Sequence, residues 1–158
     1  MFEVYEIKGD YLENLSAEVQ RVYLVDIYYL VAFGNYTFCF DAKHHVYILN
    51  NLIGEVMLSL PPEMFFRCHD SIIVGLMHVD KLLKKKQNCS IRIIQLKNKI
   101  RVGCARRKKK PFITALSAFR DKYEQLESEQ MIAQNLLLQI LSKLRTPGSN
   151  SSTFFSLS

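Results

Sequence analysis

The first third of the chain alternates short apolar segments with polar breaks, which is the pattern of a β-sheet. Residues 1–7 alternate apolar and polar side chains, as a half-buried strand does. Residues 21–33 and 36–40 are dense in Val, Ile, Tyr and Phe, which favour a pleated surface. Gly34 and Asn35 separate these two segments, and both residue types accept the positive φ of a tight turn. We therefore predict a first strand followed by an antiparallel meander.

The strand pattern continues to about residue 105, with one short helix inside it. The further predicted strands are 45–52, 65–69, 72–76, 90–96 and 100–105. The helix covers Asn51 to Leu58, and Pro61-Pro62 ends it. Residues 8–20 are polar and include Gly9 and Asp10, so we expect a linker there. The predicted fold class is a mainly β, antiparallel domain with one short helix.

After Pro111 the apolar period changes from two to about three and a half residues. This change predicts one long helix from Phe112 to Leu144. Seven of the nine positions on its seam are large and apolar or aromatic. The seam is Leu116, Phe119, Tyr123, Leu126, Gln130, Ala133, Leu137, Ile140 and Leu144. Such a helix either folds back on the sheet or pairs with its twin in a dimer.

The length of 158 residues suits one domain with an appendage. We expect four segments along the chain. They are an N-terminal strand and linker (1–20), the main β domain (21–111), the helix (112–145) and a disordered Pro-, Gly- and Ser-rich tail (146–158). No leader pattern and no apolar stretch long enough to span a bilayer is visible, so a soluble, cytoplasmic protein is expected.

The charge is distributed very unevenly. Residues 1–80 contain four Lys or Arg and eleven Asp or Glu, whereas residues 81–110 contain thirteen Lys or Arg and no acid. One segment of thirty residues thus carries the whole basic excess of the chain, which has a net charge of +6. A positive field this concentrated favours a polyanionic partner, either nucleic acid or an acidic membrane surface.

Five contiguous cations, residues 106–110, end this basic segment. Arg side chains make forked contacts with guanine or phosphate, whereas Lys acts as a point charge. We therefore assign Arg106 or Arg107 to a base or groove contact, and the lysines, Lys108 and Lys109 among them, to the phosphate backbone.

The segment 65–79 places Cys68, His69 and Asp70 together, which invites a catalytic interpretation. Adjacent side chains on a strand point to opposite faces, so Cys68 and His69 cannot act as nucleophile and base. The four cysteines contain no C-x-x-C pair, so we do not expect a zinc site. We expect the cysteines to be buried free thiols. We predict no enzyme activity, metal or cofactor.

Three ordered motifs resemble the LytTR family of bacterial DNA-binding domains over roughly residues 21–118. The first motif is a strand and turn, the second is a Phe-x-Arg-x-His-x-Ser segment, and the third is an Arg pair after the last strand. The matching residues are Asp26, Ile27, Tyr29, Ala32, Gly34, Asn35 and Tyr36, then Phe65, Arg67, His69, Ser71 and Val74, then Arg106 and Arg107.

The resemblance implies a compact β domain that binds double-stranded DNA through loops. Carried over position by position, the implied DNA contacts are Asn35, Tyr36, Thr37, His69, Asp70, Ser71, Arg106 and Arg107. Asp70 departs from the family, which commonly has Arg or Asn after the histidine. Phosphate would repel its carboxylate unless Asp70 accepts from a cytosine amino group or pairs with a nearby cation.

Some relatives carry a cysteine at the position of Cys68 and another on the last strand, which implies Cys68 and Cys104 as a redox-sensitive pair. Many also carry a receiver domain ahead of the DNA-binding one, where this chain has about 20 residues. The expectation is a stand-alone transcriptional regulator, controlled by a partner protein or by homodimerisation through 112–144. The competing interpretation is a protein-interaction or anionic-membrane-surface module.

Overall fold

The computed structural model of the protein describes residues 3–15, 20–84 and 92–144. This part of the chain contains eleven β-strands and two α-helices. The strands are β1 (Val4–Lys8), β2 (Tyr11–Asn14), β3 (Arg21–Tyr23), β4 (Ile27–Phe33), β5 (Tyr36–Asp41), β6 (Val46–Leu49), β7 (Phe65–His69), β8 (Ile72–Gly75), β9 (Val79–Lys84), β10 (Arg92–Leu96) and β11 (Arg101–Cys104). The helices are α1 (Ile53–Ser59) and α2 (Lys109–Leu144). The predicted mainly β fold with a short helix and a long C-terminal helix is confirmed.

Eight strands form one sheet in the order β3-β2-β1-β6-β5-β4-β8-β7. All neighbours in it are antiparallel except β1 and β6, which run parallel. The predicted turn between β4 and β5 is present, and Gly34 adopts a φ of 58° there. One core cluster packs against this sheet, and it includes Leu12, Leu30, Leu49 and Phe65.

The N-terminal region differs from its prediction. Residues 11–14, expected to belong to a linker, form β2 because Leu12 is fully buried in the core. The predicted strand over residues 21–33 is interrupted by a 3₁₀ turn at Leu24–Asp26. Leu24 is buried in that turn, whereas Val25 is exposed.

A second, three-stranded sheet has the order β11-β10-β9. β9 was not predicted, because its charged residues interrupt the apolar pattern to which Val79 and Leu82 belong. A second core cluster packs here and includes Cys68, Ile94, Cys104 and Phe112.

Helix α2 begins three residues earlier than predicted, at Lys109. Pro111 lies in its first turn. Backbone N–H groups there have no acceptor within the helix, so the missing N–H of proline costs no hydrogen bond. The chain divides into two compact units after Phe119. In the first unit Phe112 and Leu116 are buried; in the second, nearly every described side chain is exposed. No helix in the described ranges is long and apolar enough to cross a membrane.

The predicted tail over residues 146–158, Cys89 and the first two residues of the predicted 90–96 strand lie outside the described residues.

Candidate nucleic-acid interface

Three segments that are distant in sequence meet at one end of the eight-stranded sheet. The Ala32 N–H donates to the carbonyl of Ser71 at 2.9 Å, which places the β7–β8 turn beside the last residues of β4. The Ala105 N–H donates to the carbonyl of Cys68 at 2.8 Å, which places the chain after β11 beside the same turn. Because only Phe33 lies between Ala32 and the β4–β5 turn, main-chain bonds bring all three predicted contact segments together.

The carboxylate of Asp70 is paired with a cation. The Nη2 atom of Arg107 lies 2.7 Å from Oδ1 of Asp70. The backbone carbonyl of Asp70 also accepts from the Arg67 guanidinium, with Nε at 3.2 Å. Of the two solutions expected for an acid on a DNA-facing surface, this chain adopts pairing with a nearby cation.

His69 is oriented by Ser71. The Ser71 N–H donates to Nδ1 of His69 at 3.2 Å, and the Ser71 hydroxyl lies 2.9 Å from the same nitrogen. Since a backbone N–H can only donate, Nδ1 acts as the acceptor, and the proton of the neutral ring lies on Nε2. The exposed His69 ring therefore presents an N–H donor, which can donate a hydrogen bond to a phosphate oxygen or to an acceptor atom on a base.

Two of the basic residues after β11 line an open cleft. Arg106–Lys108 form a 3₁₀ turn, which leads directly into α2. The cleft measures about 600 Å³ and is lined by His69, Asp70, Ala105, Arg106 and Arg107. Arg106 and Arg107 are exposed, whereas Lys108 and Lys109 are half-buried. The two predicted sets of site residues, 69–70 and 106–107, thus form one surface.

In the β4–β5 turn the structure separates three predicted contact residues. Asn35 and Tyr36 are exposed, but Thr37 is fully buried and its hydroxyl donates to the carbonyl of Asn51 at 2.8 Å. Successive side chains on a strand face opposite sides, so the side chain of Thr37 points into the core. The assignment of Thr37 as a DNA contact is therefore corrected, because its side chain is absent from the surface.

Two residues of this region were not predicted as site residues. Arg67 fixes the β7–β8 turn from β7, and its position two residues before His69 in the motif could have revealed it. Phe33 is 65% exposed beside the β4–β5 turn, and its ring stacks on Phe38 with 5.0 Å between centroids. Strand periodicity alone does not distinguish such an exposed aromatic residue from a core residue.

Cys68 and Cys104 lie on neighbouring strands, β7 and β11, behind the cleft. Both are buried free thiols. Burial raises the pKa of Cys68 to about 12, with a further contribution from Cys104, and burial also raises the pKa of Cys104. The two thiols are protonated at neutral pH, and their redox pairing stays a prediction.

A mainly β domain that clusters arginines on one surface has the charge distribution of a nucleic-acid-binding domain. The family model of the LytTr DNA-binding domain matches residues 17–117. The chain belongs to this family, as the three motifs predicted. Family membership implies DNA binding.

A solved structure shows the same fold. It is the LytTr DNA-binding domain of a protein described as a putative methyl-accepting/DNA response regulator from Bacillus cereus. The two chains are 20% identical and superpose with a TM-score of 0.56, over 73% of this chain and 97% of the other. A search of curated proteins gave no significant match.

Proposed function

We propose that this protein is a transcriptional regulator that recognises a specific sequence in double-stranded DNA through three surface segments. The observation that carries the proposal is their main-chain junction, in which Ala32 bonds to Ser71 and Ala105 bonds to Cys68. These bonds hold the β4–β5 turn, the β7–β8 turn and the Arg106–Lys108 turn at one end of the sheet. A duplex can then contact all three segments simultaneously.

Roles within this surface follow from side-chain chemistry. Arg106 and Arg107 can fork onto guanine O6 and N7, and His69 offers one N–H donor. Asn35 can pair with adenine, since an amide matches its N6 and N7. Lys108 and Lys109 contribute attraction to phosphate, which releases counterions and makes the affinity depend on salt.

We further propose that α2 mediates homodimerisation. Phe112 and Leu116 are buried within the first compact unit, which ends at Phe119. We therefore restrict the proposed dimer interface from residues 112–144 to residues 120–144. Along it the seam residues Leu126, Leu137 and Ile140 are all exposed. An uncovered heptad seam of this kind suits a coiled coil with a second copy, and a dimer would place two DNA-reading surfaces on one operator. A regulatory protein that competes for the same seam is the alternative occupant.

Selection of binding sites from random duplexes tests the DNA-reading proposal. We expect an enriched sequence that the full chain binds more tightly than a scrambled duplex at about 0.15 M salt. Arg106→Ala should weaken specific binding about 5- to 150-fold, the range for one forked base contact.

Arg21→Ala is the matched control for this experiment. It removes the same charge from β3, at the opposite edge of the eight-stranded sheet, and should leave the affinity nearly unchanged. Equal affinity for every duplex and for vesicles of anionic lipid would refute sequence reading and favour the anionic-surface alternative.

A further inference from the structure

Asp70 is held at two points by two arginines. The Arg107 guanidinium donates to the carboxylate at 2.7 Å, and Arg67 donates through Nε to the backbone carbonyl at 3.2 Å. Arg67 belongs to β7, so this second bond anchors the turn to the sheet. Asp70 is therefore a fixed point on the wall of the cleft, and the guanidinium of Arg107 is positioned from it.

The exposure of this ion pair indicates that folding does not depend on it. The side chains of Arg107 and Asp70 are 70% and 75% exposed, and solvent screens a pair of this kind until it contributes little to stability. A carboxylate in a surface that binds DNA also repels phosphate, so Asp70 lowers the general affinity for DNA. A residue with little value for folding and an adverse effect on phosphate attraction suits a role in selectivity.

We propose that Asp70 is a positioning residue that sets base specificity through Arg107, an inference that rests on the DNA-reading function proposed above. A guanidinium carries five N–H donors in a planar fork, so a contact with one carboxylate oxygen leaves donors for both O6 and N7 of a guanine. Because Asp70 already restricts the Arg107 side chain, less rotational freedom is lost when the fork forms. A single contact to phosphate gains nothing from this preorganisation.

The proposal predicts two opposite effects of removing the carboxylate. Asp70→Ala releases Arg107 and removes one negative charge from the surface. Discrimination at the base pair that Arg107 reads should fall about 2- to 5-fold, the range that an exposed ion pair can contribute. Affinity for an unrelated duplex should rise, because the repulsion of phosphate by Asp70 is gone.

The experiment measures binding of the full-length chain to its selected duplex, to every single-base-pair variant of that duplex and to an unrelated duplex. It compares the wild type with Asp70→Ala, Arg107→Ala and the double variant. We expect both single variants to lose discrimination at the same guanine. The double variant should lose no more there than Arg107→Ala alone, because Asp70 acts through Arg107. Asp70→Asn, which keeps the size and removes the charge, should reproduce Asp70→Ala and separates charge from packing.

Two results would overturn the inference while leaving DNA reading intact. One is full discrimination retained in both Asp70 variants. The other is a loss at a different base pair from that of Arg107→Ala, which would mean that Asp70 reads a base by itself. A wild-type chain without preference for any duplex would instead refute the proposed function. The wild type is therefore measured before the variants.

Discussion

The ring of Phe112 meets the ring of Phe66 edge-on, with 5.6 Å between centroids and 63° between ring planes. This contact fastens the first turns of α2 to β7, the strand that leads into the Asp70 turn. The basic turn Arg106–Lys108 precedes α2 directly. The position of the cationic side of the cleft therefore depends on an aromatic contact in the second core.

Phe112→Ala should lower the free energy of unfolding by about 3–5 kcal/mol, because a fully buried ring is lost and a cavity is left. Chemical denaturation of the full chain measures this change. Ile113→Ala is the matched control, since Ile113 is exposed on the same helical turn and should cost much less. Similar losses in the two variants would contradict the anchoring role of Phe112.

Gly75→Ala should destabilise the protein by about 1–3 kcal/mol. A Cβ at this position would lie 2.8 Å from the carbonyl oxygen of Ile27, so the backbone of β4 or β8 must shift. A Cβ on Gly103 would meet no described heavy atom within 4 Å outside its own chain neighbours, so Gly103→Ala serves as the control and should be close to neutral. Thermal unfolding of both variants decides the point, and an unaffected Gly75→Ala would argue against close packing there.

Acidification should destabilise the fold through His78. Its Nε2 bonds to the carbonyl of Val25 and its ring stacks on Tyr28. Burial lowers the pKa of His78, Lys97 lowers it further, and the Val25 carbonyl and Asp26 oppose these effects only in part. The unfolded chain then binds the proton more tightly than the folded one, so the stability from neutral His78 is complete above the ordinary histidine pKa of about 6.5. It declines as the pH falls below that value.

His78→Gln should flatten this pH dependence, because an amide can still donate to Val25 but does not titrate in this range. Unfolding free energies between about pH 7.5 and 5 provide the measurement. The control is His44→Asn, which removes an exposed histidine at a positive φ of 65° that asparagine tolerates. A decline that persists unchanged in His78→Gln would exclude His78 as its source.

Cys68 and Cys104 should react slowly with alkylating reagents in the native protein. Burial hides both thiols, and the raised pKa of Cys68, about 12, leaves very little thiolate. Peptide mapping after alkylation should show labelling at least about 100-fold slower than in denaturant. Rapid native labelling of either residue would contradict the buried assignment. Alkylation of these buried thiols requires a local opening of the structure. A 68–104 disulfide formed with the oxidant diamide should therefore appear no faster than the native alkylation.

Leu137→Lys should dissociate the proposed dimer. Leu137 lies on the heptad seam of α2, and pairing would bury an unpaired ammonium there, so the dimer Kd should rise at least about tenfold. Leu138→Lys makes the same chemical change one residue away, outside the seam, and should leave the mass in solution unchanged. Analytical ultracentrifugation of the full chain distinguishes them. A monomeric wild type, or equal effects of both changes, would exclude pairing through this seam.

Local patterns predicted the elements that local chemistry determines. The Gly34-Asn35 turn, the strands on either side of Asp70 and the long helix follow from turn residues and apolar periods within the segments themselves. The parallel pairing of β1 with β6 joins residues more than forty positions apart, and no local period records it. β2 was missed because Glu13 and Asn14 give its four residues the polar composition of a linker, although the structure buries Leu12 and Asn14.

The candidate site was predictable in part for the same reason. Motif residues His69, Arg106 and Arg107 could be selected from the sequence, but their convergence on one cleft depends on long-range bonds such as Ala105 to Cys68. Asp70 was recognised as unusual among them, and two solutions for its charge were open. Only the three-dimensional arrangement could select Arg107 as its partner.

The bonds from Ala32 to Ser71 and from Ala105 to Cys68 join the contact segments through main-chain atoms alone. Such bonds form with almost any side chain at those positions, so the frame of the surface is independent of the residues displayed on it. Positions 35, 69, 70, 106 and 107 can therefore be exchanged in combination without dismantling the scaffold. Under the proposed function, libraries that vary these positions on the constant backbone frame should retarget the domain to new DNA sequences.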